Sequence, residues 1–226
     1  MFTFSTSERG YEIRRQRHMY LWIDIETTGL DLNRDSILEV AWFVTDERLL
    51  KLTEGKTAMM HHPLMSVVDK LMKNDFVLNM HQTSGLYESY IWAHEGQGNM
   101  LVVEDLEEQI LQSIESVNKD WEQTVMLAGA SVHFDKGFLS RDMPRLSEML
   151  SHRHLDTSSI RLMMNACGVN YMSVVKDRVA HRALDDIEET YDMAQQYFEY
   201  VKEAIPVYLE RSMPPEMRGA NKGKGK

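Results

Sequence analysis

The stretch Tyr20-Leu21-Trp22-Ile23-Asp24-Ile25-Glu26-Thr27-Thr28-Gly29 limits most severely how this chain can fold. Strand-forming residues fill its first half, and Thr-Thr-Gly then stops it. Side chains two apart on a strand share a face. Asp24 and Glu26 therefore project together from an otherwise apolar strand. Burying two carboxylates is costly unless a counter-charge meets them. A pair of hard divalent cations, Mg²⁺ or Mn²⁺, meets that need through oxygen ligands and water. The plainer alternative is an edge strand with solvated acids.

Around this strand the chain reads as one globular domain. Its 226 residues are 43% hydrophobic and 27% charged, enough for a buried core. No apolar run approaches the roughly 18 residues of a membrane helix, so no membrane role is expected. The single cysteine, Cys167, rules out an internal disulfide and suits a reducing, cytoplasmic compartment; organellar or viral origin stays open. The net charge of −10 argues against a long basic track for nucleic acid. It does not argue against a metal site, because acidic ligands add to the negative count. Residues 1–18, polar and ending in Arg14-Arg15-Gln16-Arg17-His18, read as a flexible arm. Residues 19–210 read as the domain, and 211–226 as a disordered tail.

Ile37 to Thr45 predicts a second strand and Thr57 to His61 a third, together an antiparallel meander. Residues 66–73 read as helical. Glu104 to Val117 is a better helix, with Leu106, Ile110, Ile114 and Val117 at helical spacing and acids loading its first turns. Thr124 to Ala130 is a fourth strand. Asp135 to Arg141 begins a helix that Pro144 interrupts. His154-Leu155-Asp156 is a short fifth strand, followed by a helix from Ser158 to Cys167 that stops at Gly168. The last long helix starts near Leu184, with Leu184, Ile187, Tyr191, Ala194, Phe198 and Val201 as its apolar stripe. Strands first, then alternating helices and strands, imply an α/β fold whose sheet is covered by helices.

Three further positions bear on chemistry. Asp135 follows a strand and a short polar turn, which places it at a helix N-terminus near the end of the sheet; a simple helix cap explains it equally well. His181 precedes the last helix, and Asp185 and Asp186 lie in that helix's first turn. A lone histidine before a helix is more often structural than catalytic. The apolar neighbours Leu184 and Ile187 do not decide which of the two aspartates faces inward.

Taken in order, Asp24-x-Glu26, Asp135, and His181-x-Ala183-x-x-Asp186 resemble the motifs of the DEDDh exonuclease superfamily. That resemblance selects Asp186 over Asp185. It is closer still to the oligoribonuclease family. Similar to that family's motifs are Trp22 to Leu30, Asn74-Asp75-Phe76, Met80 to Leu86 and Met143-Pro144. So are Arg153-His154-Leu155-Asp156 with Ser158, and His181 to Ile187. The similarity spans roughly Tyr20 to Phe198.

The resemblance implies a ribonuclease H-like mixed sheet, an antiparallel meander plus parallel strands. It implies a 3′→5′ exonuclease acting on short single-stranded RNA or DNA with two divalent cations, Mg²⁺ or Mn²⁺, and releasing nucleoside 5′-monophosphates. Asp24, Glu26, Asp135 and Asp186 would be the metal ligands and His181 the general base. Leu30 and Phe76 would wedge against the bases, and His81 would contact the substrate. Ser131, Arg153 and Ser158 would cap a 5′ phosphate. The partner of a homodimer would complete the cap from position 152. Two departures stand out: Phe76 replaces the family's tryptophan, and His152 replaces a tyrosine. Ile91 to Gly98 and the N-terminal arm are additions. A broader, proofreading-type single-strand exonuclease and a non-catalytic nucleic-acid-binding module are the competing readings. The complete set of four acids and a histidine argues against the second.

Overall fold

A computed structural model of the chain describes residues 18–98, 100–119, 122–172 and 181–212. Nearly all of the expected arm and tail, 1–17 and 213–226, lies outside the described residues. Six strands form one sheet: β1 (His18–Thr27), β2 (Ile37–Asp46), β3 (Lys56–Met60), β4 (Met100–Leu101), β5 (Thr124–Gly129) and β6 (His154–Asp156). Their order is β4-β3-β2-β1-β5-β6. The pairs β1–β2 and β2–β3 are antiparallel; β1–β5, β5–β6 and β3–β4 are parallel. The meander and the parallel extension are those the sequence implied.

Eight α-helices cover the sheet among the described residues. They are α1 (Leu64–Leu71), α2 (Asp75–Thr83), α3 (Leu86–Trp92), α4 (Val103–Glu115), α5 (His133–Asp142), α6 (Pro144–Met149), α7 (Thr157–Ala166) and α8 (Ala183–Ser212). Helices α2 and α3, a turn of π-helix at Ala93–Gln97 and the two-residue β4 add to the sequence reading. Each of them is short. Helix α2 is started by Asn74, whose side chain accepts from the Val77 amide, and α3 follows Gly85 in the left-handed region at φ 73°. The π-turn occupies much of the added segment 91–98.

Strand β1 separates two cores by its alternation. Leu21 and Ile23 point to the face packed by Leu106, Ile110 and Ile114 of α4 and Phe138 and Leu139 of α5. Trp22 points to the other face, against Ile187, Tyr191 and Ala194 of α8. Asp24 and Glu26 continue the Trp22 row, so the acids emerge where the N-terminal turn of α8 meets the sheet. The expected α8 stripe holds only for its first half: Phe198 and Val201 are exposed, and the helix there buries Met193 and Tyr197 with Met164 of α7 instead.

Candidate active site

The acids converge from three elements. Strand β1 supplies Asp24 and Glu26, α5 supplies Asp135 in its first turn, and α8 supplies Asp186 in its first turn. The register of β1 against β2 shifts between Glu26 and Thr27, the kind of irregularity that re-aims side chains at the end of a strand. Beyond it the chain turns tightly. The Thr28 hydroxyl donates to Asp35 Oδ1 at 2.9 Å, and the Asp31 amide donates to Asp35 Oδ2 at 2.8 Å. A Cβ at Gly29 would sit 2.5 Å from Asp35 Oδ2, so any other residue would push the Asp35 carboxylate away from the hydrogen bonds that close the turn. The turn leaves the Leu30 side chain exposed.

Glu26 and Asp135 are buried, at 7% and 6% exposure, while Asp24 and Asp186 are half-buried. Loss of water pushes all four carboxyls above their ordinary range, and mutual repulsion adds to this for Asp24 and Glu26. Glu26 is raised to about 8 and Asp135 to about 7. Glu26, His181 and Asp186 bring one ligand atom each to within 4.8 Å of one another. Crowded oxygen donors that resist ionisation without a counter-charge fit a hard divalent cation. A consequence for stability follows. Glu26 ordinarily titrates near 4.5 and in the fold near 8, so the folded protein binds more protons than the unfolded chain in between. Stability of the metal-free protein is fully present below about pH 4.5 as far as this group is concerned. It is lost as pH rises through 8, and Asp135 acts the same way. Thermal melts in chelator should therefore show a fall in Tm between pH 5.5 and 8.5, and millimolar Mn²⁺ should remove most of it. A flat or rising Tm in chelator would contradict the crowding.

His181 has φ 63°, and its amide donates to Asp186 Oδ2 at 3.0 Å. The carboxylate thus holds the turn that presents the exposed imidazole. A fifth carboxylate, Glu39 of β2, pairs with Glu26 across the strands and is 2% exposed. It is not free to meet a cation. Its oxygens accept from Arg182 Nη2 at 2.8 Å, Arg182 Nε at 3.2 Å and the Ala183 amide at 3.0 Å. Glu39 thereby anchors the start of α8, where a negative charge is favoured by the exposed amides. The sequence held a signal for it: a charge inside the apolar run Ile37 to Thr45.

The residues expected to meet the substrate divide into groups. Leu30 and Phe76 are apolar side chains 68% and 79% exposed, Leu30 in the turn that follows β1 and Phe76 in the first turn of α2. Ser131 and Ser158 come together, with the Ser131 hydroxyl donating to Ser158 Oγ at 3.2 Å. Both of their amides point to Asp156 Oδ1, at 3.2 and 2.9 Å. Arg153 and His152 are exposed just ahead of β6. His81 departs from the expectation of an open contact. It is fully buried, its Nε2–H donates to Thr27 O at 2.8 Å, and Nδ1 lies 3.9 Å from Glu26 Oε2. Burial lowers its pKa, so that approach is not an ion pair but a neutral ring beside the buried Glu26 carboxyl.

A cavity of about 330 Å³ opens from Asp24 and Asp186 toward Ser158 on α7. This sheet, with its cluster of buried acids at the N-terminus of a helix, defines a class. Residues 21–194 match the exonuclease family designated RNase_T, and the chain belongs to that family. Within it, the chain belongs with the oligoribonucleases. It is 36% identical over 171 residues to the oligoribonuclease of Corynebacterium glutamicum, covering 75% of this chain and 74% of that protein. It is 31% identical over 184 residues to the oligoribonuclease of Acinetobacter baylyi, covering 80% and 92%. In fold it is similar to the zinc-bound E. coli ExoI–ssDNA complex, with a TM-score of 0.56 at 17% identity, over 86% of this chain and 43% of that one. The chain thus spans less than half of that solved structure, and at such identity the likeness is one of fold. The ribonuclease H-like architecture is the one implied by the sequence.

Proposed function

We propose that this chain is a 3′→5′ exonuclease that degrades short single-stranded oligonucleotides, RNA favoured, to nucleoside 5′-monophosphates. The observation that carries this reading is the convergence of Asp24, Glu26, Asp135 and Asp186, with raised pKa values, beside the exposed His181. The four acids would hold two divalent cations, Mg²⁺ or Mn²⁺. Such ions, when bound, activate water and stabilise the charge that develops on the phosphate and the leaving oxygen. His181 accepts the proton of the attacking water, the role histidine fills best near neutral pH. The P–O3′ bond breaks, O3′ takes up a proton, and the 3′-terminal nucleotide leaves with its phosphate. Leu30 and Phe76 receive the splayed bases, which requires a single strand.

Substrate length is where this chain differs from its relatives. Ser131, Ser158 and Arg153 can donate to a 5′ phosphate, with Arg153 able to grip two oxygens. His152 is shorter than the family's tyrosine and makes a less complete wall. Phe76 offers less stacking area than tryptophan, a loss of roughly 0.5–1.5 kcal/mol. The exposed Phe198, Val201, Ile205 and Tyr208 on α8 support a homodimer, which would bring position 152 to the neighbour's site. A cytoplasmic setting suits the lone Cys167, which is exposed. The test is the ratio of kcat/KM on a dinucleotide to that on a seven-nucleotide RNA, for wild type and His152→Tyr. A ratio above unity that grows in His152→Tyr is expected. A ratio near unity in both would reassign the chain as a general single-strand exonuclease.

A further inference from the structure

The turn that carries Leu30 is held in two ways, from within and from α5. Within it, the Thr27 hydroxyl donates to Gly29 O at 2.7 Å, the Thr28 hydroxyl and the Asp31 amide donate to the Asp35 carboxylate, and the Arg34 and Asp35 amides donate to Asp31 O. These bonds set the shape of the turn but not the place of its tip, since all of them stay within residues 27–35. The tip is held by Arg141, in the last turn of α5, which donates from Nη1 to Leu32 O and to Asp35 O, the second at 2.9 Å. The other donors of that guanidinium are committed. Nε and Nη2 grip Asp142 Oδ1 and Oδ2 at 2.7 and 2.6 Å, and the group lies 4.9 Å from the centre of the Phe138 ring. A planar fork gripped on one side by a carboxylate presents its remaining nitrogen in a fixed direction. Leu32 also seats against α5: a Cβ at Gly137 would lie 3.0 Å from Leu32 Cδ1. A cation at a helix C-terminus is favourable by itself, but that accounts for neither carbonyl.

We propose that Arg141 is a positioning residue for substrate binding: it clamps the Leu30 turn to the helix that carries Asp135, so that the apolar wedge and the acidic cluster keep one spacing. Leu30 is 68% exposed and has little packing of its own, so its place depends on the backbone beneath it. Asp135 and Arg141 stand in the first and last turns of α5, joined by one continuous hydrogen-bonded helix. The inference rests on the exonuclease reading, in which Leu30 meets a base, and adds a residue that itself touches no substrate.

The test is a double-mutant cycle on the full chain with Mn²⁺ and a dinucleotide substrate. Leu30→Ala and Arg141→Ala should each raise KM by about three- to tenfold, the net scale of one hydrogen bond, with kcat nearly unchanged. The double variant should be no weaker than Leu30→Ala alone, because a clamp has nothing to place once the wedge is gone. The nitrophenyl ester of a nucleoside 5′-monophosphate has a single base and nothing to wedge apart, so Arg141→Ala should cleave it as wild type does. Arg141→Lys keeps the stem and the charge but lacks the fork. It should repeat the pattern, and it carries the cycle if Arg141→Ala fails to melt cooperatively. Losses that multiply in the double variant would overturn the proposal, since Arg141 would then act independently of Leu30. An unchanged KM in either single variant would overturn it, as would an equal loss on the nitrophenyl ester, which points to damage at the acids. Failure of wild type on both substrates would instead remove the exonuclease reading on which it rests.

Discussion

Asp24→Asn is expected to lower kcat by about two to three orders of magnitude, the scale of loss when one preorganised group is taken from a site, while raising the Tm of the metal-free protein. The two effects share one cause. Asp24 is pushed well above its ordinary range first by burial, then by Asp135, Glu26, Asp186 and Glu39. Each ionised neighbour is held there against repulsion, so removing one charge relieves the others. In a domain of this size a gain of about 1 kcal/mol raises Tm by roughly 2–4 °C. Melting in chelator at pH 8 and single-turnover release of mononucleotide with Mn²⁺ measure the two halves separately. Retained turnover would remove Asp24 from the ligand set. A lowered Tm in chelator would show that its carboxylate is structural.

Where a residue's neighbours along the chain fix its environment, the sequence was legible. Trp22, Asp24 and Glu26 share a face because a strand has a period of two, and β1 and β2 fall within a few residues of their expected bounds. Helix α7 ends before Gly168, at φ 80°, as the glycine implied. Legibility failed where long-range packing decides. Helices α2 and α3 are too short for a stripe to be recognised, yet they carry Val77 and Tyr90 into a third core with Leu38. His81 could be matched to a substrate contact only by resemblance; its burial beside Glu26 depends on how α2 sits against β1. Glu39 carries a visible charge in an apolar strand, but its partners Arg182 and Ala183 lie 143 and 144 residues away. The choice between Asp185 and Asp186 is of the same kind, since one residue of helical rotation decides it. Asp186 accepts from the His181 amide and joins Glu26.

His181→Asn should reduce kcat by about 10²- to 10⁴-fold, the usual contribution of a positioned general base, with Mn²⁺ affinity nearly unchanged. The choice of asparagine follows from the backbone. His181 sits at φ 63°, a conformation asparagine tolerates better than most side chains. The hydrogen bond that the backbone N–H of residue 181 donates to Asp186 Oδ2 can therefore survive the substitution, whereas alanine would add strain to the same turn. Only the imidazole is then lost. Its nitrogen lies within 4.8 Å of ligand oxygens on Glu26 and Asp186, close enough that a ligand role must be separated from a base role. Calorimetric titration with Mn²⁺ does this. A base leaves the cation's affinity in place and takes away the pH-dependent limb of kcat. A ligand takes away a binding site, and the kinetic loss is then partly recovered at high Mn²⁺. The exposure of His181, against the burial of Glu26 and Asp135, favours the first outcome: an open imidazole can release its proton to water after each turnover, while the acids stay enclosed.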